Sequence, residues 1–132
     1  MPGGWRWRRG AGHRGEPQPR QIRGFIEPAL LLLISRGATH GYELLSGLQK
    51  IGFDQYPVDP STAYRVLRNL EAEGMIFSHW ETQETSGPPR RVYQITQDGQ
   101  AYLASWVADL RATDRILHRF LQAYDEESDQ RS

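Results

Sequence analysis

From about Ile22 onward the apolar residues of this chain fall into a succession of regular patterns, and each pattern predicts one element. Glu27 to Ser35 is an apolar helix of about two to three turns, with Pro28 in its first turn, where a missing N–H is tolerated, and with Arg36-Gly37 as its end. Thr39 is the candidate cap of a second helix, in which Tyr42, Leu45 and Leu48 repeat at helical spacing as far as Ile51 before Gly52 stops it. The third helix has the sharpest signals. Asp59 is its N-cap, Pro60 takes the first helical position, and Ala63, Leu67 and Leu70, with Val66 one position off, form an inward stripe ended by Gly74. Tyr64, Arg65, Arg68 and Asn69 fall on or beside the opposite face.

The period then shortens from helical to two. Ile76 to Gln83 and Arg90 to Ile95 read as strands, joined by the turn-forming Glu84-Thr85-Ser86-Gly87-Pro88-Pro89, so this region is a hairpin. Thr96 caps a last helix that runs to about Tyr124. Along it Leu103, Trp106, Leu110, Thr113, Leu117, Phe120 and Tyr124 alternate spacings of three and four, a coiled-coil-like seam that only Thr113 interrupts. A single domain of this size has no internal surface long enough to bury such a seam, which predicts a partner chain contacting Leu103, Trp106, Leu110, Leu117 and Phe120. The fold class expected is mainly α with a small β-hairpin wing: a winged helix-turn-helix followed by a long C-terminal dimerisation helix. Its divisions are a flexible arginine-rich arm at 1–21, the winged domain at 22–96, the dimerisation helix at 97–124 and an acidic tail at 125–132.

Composition changes this picture in a few respects. The 132 residues suit one domain with short extensions, and 16 basic residues cancel 16 acidic ones. Zero net charge argues against a nucleic-acid binder until its distribution is considered. Arg6, Arg8, Arg9, Arg14, Arg20 and Arg23 crowd the start, while Asp125, Glu126, Glu127 and Asp129 crowd the end. An arm so charged raises affinity for any duplex at low salt. Lys50 is the only lysine, a bias that GC-rich coding accounts for as well as phosphate recognition does. With no cysteine, disulfides and thiolate metal sites are excluded. The longest apolar run, Ala29 to Ile34, is far too short to span a bilayer, and the start lacks the apolar core of a signal peptide. A cytoplasmic protein without membrane contact is expected.

Catalytic chemistry is missing from the sequence. Gly10-Ala11-Gly12-His13-Arg14-Gly15 matches a dinucleotide-binding string, but no strand precedes it and no apolar helix follows. His13, His40, His79 and His118 are scattered; Asp114 and His118 lie four apart on one helix face with no further ligand, an ordinary surface pair. Neither an enzyme nor a metal or cofactor site is expected. DNA-binding features do converge. A helix opening Asp59-Pro60-Ser61-Thr62 presents short hydroxyls and backbone amides at the end that meets base edges in helix-turn-helix docking. Arg65 and Arg68, about one turn apart, suit phosphates or guanine edges, or are merely solvated helix surface. Arg90 and Arg91 beside the Pro-rich tip suit the phosphate backbone or minor groove, or else pair with Glu81 or Glu84.

Four blocks in order carry a family resemblance: Gly41-Tyr42-Glu43-Leu44-Leu45; Tyr64-Arg65-Val66-Leu67-Arg68-Asn69-Leu70-Glu71-Ala72-Glu73-Gly74 behind Asp59-Pro60-Ser61-Thr62-Ala63; Gly87-Pro88-Pro89-Arg90-Arg91-Val92-Tyr93; and Thr96-Gln97-Asp98-Gly99. From about Phe25 to Tyr124 the chain resembles the PadR family of transcriptional regulators, in the short form with a single C-terminal helix. The resemblance implies a two-fold dimer on a palindromic duplex operator, usually a repressor. It implies Ser61, Thr62, Arg65 and Arg68 in the major groove, Tyr64 on a phosphate, and Arg90 and Arg91 serving the wing. Tyr64 has a competing role as a core edge beside Leu67. Members of the family relay a small-molecule signal between winged domain and dimer helix, where Phe25, Trp80, Tyr102 and Trp106 are candidates to line an effector pocket, or else belong to the dimer core. The function expected is a sequence-specific DNA-binding regulator, a repressor released by a small molecule or other effector. The alternative is a winged-helix scaffold subunit without specific DNA binding.

Overall fold

The computed structural model describes residues 22–131 apart from 38–39, 82–86 and 88. The arginine-rich arm, Thr39 and Glu84 therefore lie outside the described residues. Helix α1 (Ile22–Ser35) starts a full turn before Glu27, so Pro28 sits inside it rather than in its first turn. Phe25 and Ile26 draw the helix back: Ile26 is buried, and the Phe25 ring stacks on Phe53 with centroids 5.6 Å apart. Pro28 leaves the carbonyl of Gly24 without an intrahelical donor, but Gly24 is exposed and water can take its place. Leu30 and Leu31 are completely buried and Ala29, Leu33 and Ile34 nearly so, which makes α1 the centre of the core.

Helix α2 (Gly41–Leu48) is capped by His40 and not by Thr39. His40 is extended, its carbonyl accepts the Leu44 N–H at 3.0 Å, and the Glu43 carboxylate reaches back to the His40 N–H at 3.1 Å. Glu43, three residues beyond the cap, is the reciprocal half of a capping box. Leu44 and Leu48 face the core, whereas Tyr42 stays exposed. Beyond Leu48 the chain widens into a π turn, Gln49–Phe53, in which Gly52 at φ 126° reverses direction and delivers Phe53 to the core. Helix α3 (Pro60–Ala72) has Asp59 as N-cap and Pro60 at its first position, and it buries Ala63, Leu67 and Leu70.

Strands β1 (Ile76–Glu81) and β2 (Arg90–Ile95) pair antiparallel. The pairs Ile76↔Ile95, Ser78↔Tyr93 and Trp80↔Arg91 share one face, which buries Ile76 and Tyr93. Burial raises the pKa of the Tyr93 hydroxyl. His40 adds an isolated bridge to Val92, so the start of α2 rests against the hairpin. Helix α4 (Gln97–Arg131) begins at Thr96, whose hydroxyl accepts the Gly99 N–H at 2.9 Å and donates to the Gly74 carbonyl at 2.7 Å. A Cβ on Gly99 would overlap the Met75 carbonyl oxygen, which explains a glycine in the first turn. The first turns of α4 pack on α1. Its distal part does not, and every residue from Thr113 to Gln130 is exposed. The helix continues through the acidic residues beyond Tyr124 to Arg131; Glu126 and Glu127 favour helix, although their charge opposes the dipole at this end.

Candidate nucleic-acid interface

Packing fixes which face of α3 meets solvent. With Ala63, Leu67 and Leu70 turned inward, Ser61, Arg65, Arg68 and Asn69 are exposed and Thr62 is half-buried. The Asp59 carbonyl accepts the N–H groups of Thr62 and Ala63 at 3.0 and 3.1 Å, and the Ser61 hydroxyl donates to the Asp59 carboxylate. Tyr64 sits at the edge of the core, as a tyrosine beside Leu67 should. Its hydroxyl lies over Gly41, where an added Cβ would overlap it. The glycine opening α2 thus leaves room for the Tyr64 ring.

The hairpin packs against α3 through β1. Arg90 is exposed, opposite Glu81 in the register. Glu81, one of the two acids weighed as its partner, lies with Oε1 3.2 Å from His40 Nε2, while Glu43 Oε1 is 3.2 Å from Nδ1 of the same ring. His40 thus ties the hairpin to the N-terminus of α2. Arg91 is half-buried: its Nε–H donates to Ser78 Oγ at 3.0 Å and its guanidinium stands 5.0 Å from the centre of the Trp80 ring.

The four aromatic residues expected around an effector do not gather in one place. Phe25 stacks on Phe53 in the core and Trp80 lies under Arg91 on the wing. Tyr102 and Trp106 do come together, both donating to Glu27 Oε1 of α1, at 2.7 Å from the hydroxyl and 3.2 Å from the indole N–H. The bond to a carboxylate raises the Tyr102 pKa. An open pocket there is lined by Tyr102, Ser105, Trp106 and Asp109. Of the seam residues, Leu103, Trp106 and Leu110 are half-buried, whereas Leu117 is 50 % and Phe120 63 % exposed. Ile116, Leu121 and Tyr124 are exposed beside them.

Sequence reasoning missed Glu27, His40 and the partners of Arg91. Glu27 carried no signal, since its two donors lie far along the chain. His40 had one, the glutamate three positions on, obscured because histidine is not among the usual caps. Among the described residues no cluster of His, Asp or Glu is placed to hold a metal ion, and no helix is long and apolar enough to cross a membrane.

Residues 30–105 match the model of the transcriptional regulator PadR-like family. The transcriptional regulator Rv3488 of Mycobacterium tuberculosis is 37% identical over 104 residues, 76% of this chain and 90% of that protein. Among solved structures, a PadR-like transcriptional regulator of Bacillus cereus aligns with a TM-score of 0.68 and 27% identity over 79% of this chain and 98% of its own. A transcriptional regulator of Clostridium thermocellum aligns with a TM-score of 0.69 and 26% identity over 80% and 98%.

Proposed function

Because the chain belongs to the PadR-like family, whose members are DNA-binding transcriptional regulators and not enzymes, we propose that it binds a palindromic duplex operator as a homodimer and represses transcription in the cytoplasm. The observation that carries this reading is the exposed face of α3, with Ser61, Arg65 and Arg68 turned to solvent beside a wing that bears Arg90. In helix-turn-helix docking such a helix enters the major groove N-terminus first. Ser61 and Thr62 then meet base edges, and Arg65 and Arg68 take guanine edges or phosphates. Tyr64 reaches the backbone from the core edge, and Arg90 and Arg91 contact it from the wing.

Dimerisation is supported by the distal part of α4. From Thr113 to Gln130 it extends roughly 26 Å at 1.5 Å per residue with every residue exposed. A helix of that length without packing is marginal in water, and its apolar stripe is too large to leave uncovered. A second copy offers the same stripe in an isologous contact. Ile116 and Leu121 widen the stripe beyond the narrow seam of a two-helix coil, so the partner covers it with more than one helix. A small-molecule effector would act in the pocket of Tyr102 and Trp106, where the winged head joins the dimer helix.

Selecting bound duplexes from a random-sequence pool, then titrating the winner at two salt concentrations, tests the reading. The expected result is a palindromic consensus with half-sites about one helical turn apart and affinity that falls steeply with salt. Recovery of no consensus would refute it.

A further inference from the structure

A polar relay crosses from α3 into the wing. Glu71, in the last turn of α3, accepts the hydroxyl of Ser78 on β1, with both carboxylate oxygens 2.9 Å from Oγ. The same Oγ accepts the Nε–H of Arg91 on β2 at 3.0 Å. Ser78 has a single proton to give, so the three groups fit together in one polarity only: carboxylate, hydroxyl, guanidinium. Both outer members are charged, and charge-assisted bonds are the stronger kind. Trp80, the cross-strand neighbour of Arg91, supports the guanidinium from one side at 5.0 Å.

We infer that Glu71 and Ser78 are positioning residues that aim Arg91, laid on Trp80, at the DNA backbone, so that the recognition helix sets the angle of its own wing. This rests on the DNA-binding reading above. A carboxylate next to a DNA-facing surface opposes binding by its charge. Bonded to Ser78, it instead fixes a cation that would otherwise lose rotamer freedom only on binding. Ser78 is half-buried beneath Arg91 and acts through it.

The test titrates wild type, Arg91→Ala, Ser78→Ala, Ser78→Thr and the Ser78→Ala/Arg91→Ala double variant against a duplex selected by the wild-type protein. Each is measured over a series of salt concentrations, with thermal unfolding alongside. Ser78→Ala is expected to weaken binding roughly fivefold, the loss of about one net hydrogen bond, and to lower the salt slope towards that of Arg91→Ala. Ser78→Thr keeps the hydroxyl and should bind like wild type. The double variant should be no weaker than Arg91→Ala alone, because coupled residues are not additive. Wild-type affinity in Ser78→Ala while Arg91→Ala is weakened overturns the relay alone, as does strict additivity. Should Ser78→Ala unfold the hairpin, Glu71→Ala decides: tighter binding, the result of simple charge removal, overturns the proposal, and weaker binding supports it. A wild-type protein that selects no duplex overturns the DNA-binding function and the relay with it.

Discussion

Leu30 and Leu117 are the same side chain on two helices of the same chain, yet Leu30 is 0 % exposed and Leu117 50 %. Around Leu30 the winged head closes a core of its own from α1, α2, α3 and the hairpin. Around Leu117 the distal part of α4 displays Ile116, Phe120, Leu121 and Tyr124 to solvent. Burying a leucine fully stabilises by about 1.5–3 kcal/mol, a gain that the core leucines of the head make within one chain and Leu117 does not. The contrast is between a closed core and an uncovered helix face, half of the interface proposed above.

The largest effect expected is on that interface. Replacing both Leu110 and Leu117 with Glu should abolish the dimer and leave monomeric or unfolded protein, as sedimentation would show. A well-folded monomer of unchanged stability would break the comparison. Next, Leu30→Ala should cost about 2–5 kcal/mol of stability, read from denaturant unfolding. Leu117→Ala, unlike Leu30→Ala, should raise the protein concentration at which the dimer dissociates, read by sedimentation over a dilution series. An unchanged dissociation concentration in Leu117→Ala would show that the distal helix stabilises the single chain. Arg65→Ala and Arg68→Ala sharpen the contrast from the other side. Each should weaken operator binding by about 1–3 kcal/mol while melting temperature and dimer content stay unchanged. The smallest effect is one of pH. The pKa values of Tyr93 and Tyr102 are raised in the fold, by burial and by the bond to Glu27 respectively. A raised folded pKa gives stability that is present below the ordinary tyrosine value of 10.0 and is lost as pH climbs through the folded value. Stability should therefore decline above about pH 10, less so in Tyr102→Phe, and a pH series of urea midpoints would measure it.

Much of the head was legible because its signals are local. The boundaries of α3, the strand Arg90–Ile95 and the start of α4 at Thr96 each follow from residues a few positions apart: Asp59-Pro60, a period of two, a threonine three before a glycine. The start of α1 was not legible, since a continuous apolar run does not mark where it begins, and a core partner for Phe25 decided it. The candidate site was legible as residue types on a helix face. Its support was not: Tyr64 over Gly41, Arg91 on Ser78 and Glu71, and Tyr102 with Trp106 on Glu27 all join positions from different elements.

By itself, then, the sequence determined the kind and order of the elements, the outward face of α3 and the presence of an apolar seam with no home in a single domain. Periodicity and capping are properties of neighbouring residues, and the chain displays them before it folds. The tertiary structure alone decided that His40, at the start of α2, also meets the hairpin, at Glu81 and Val92. Packing alone also separated the aromatic residues, sending Phe25 to the core, Trp80 to the wing and only Tyr102 and Trp106 to the junction with α4. A side chain's partners depend on where distant segments lie in space, and spacing along the chain carries no record of that.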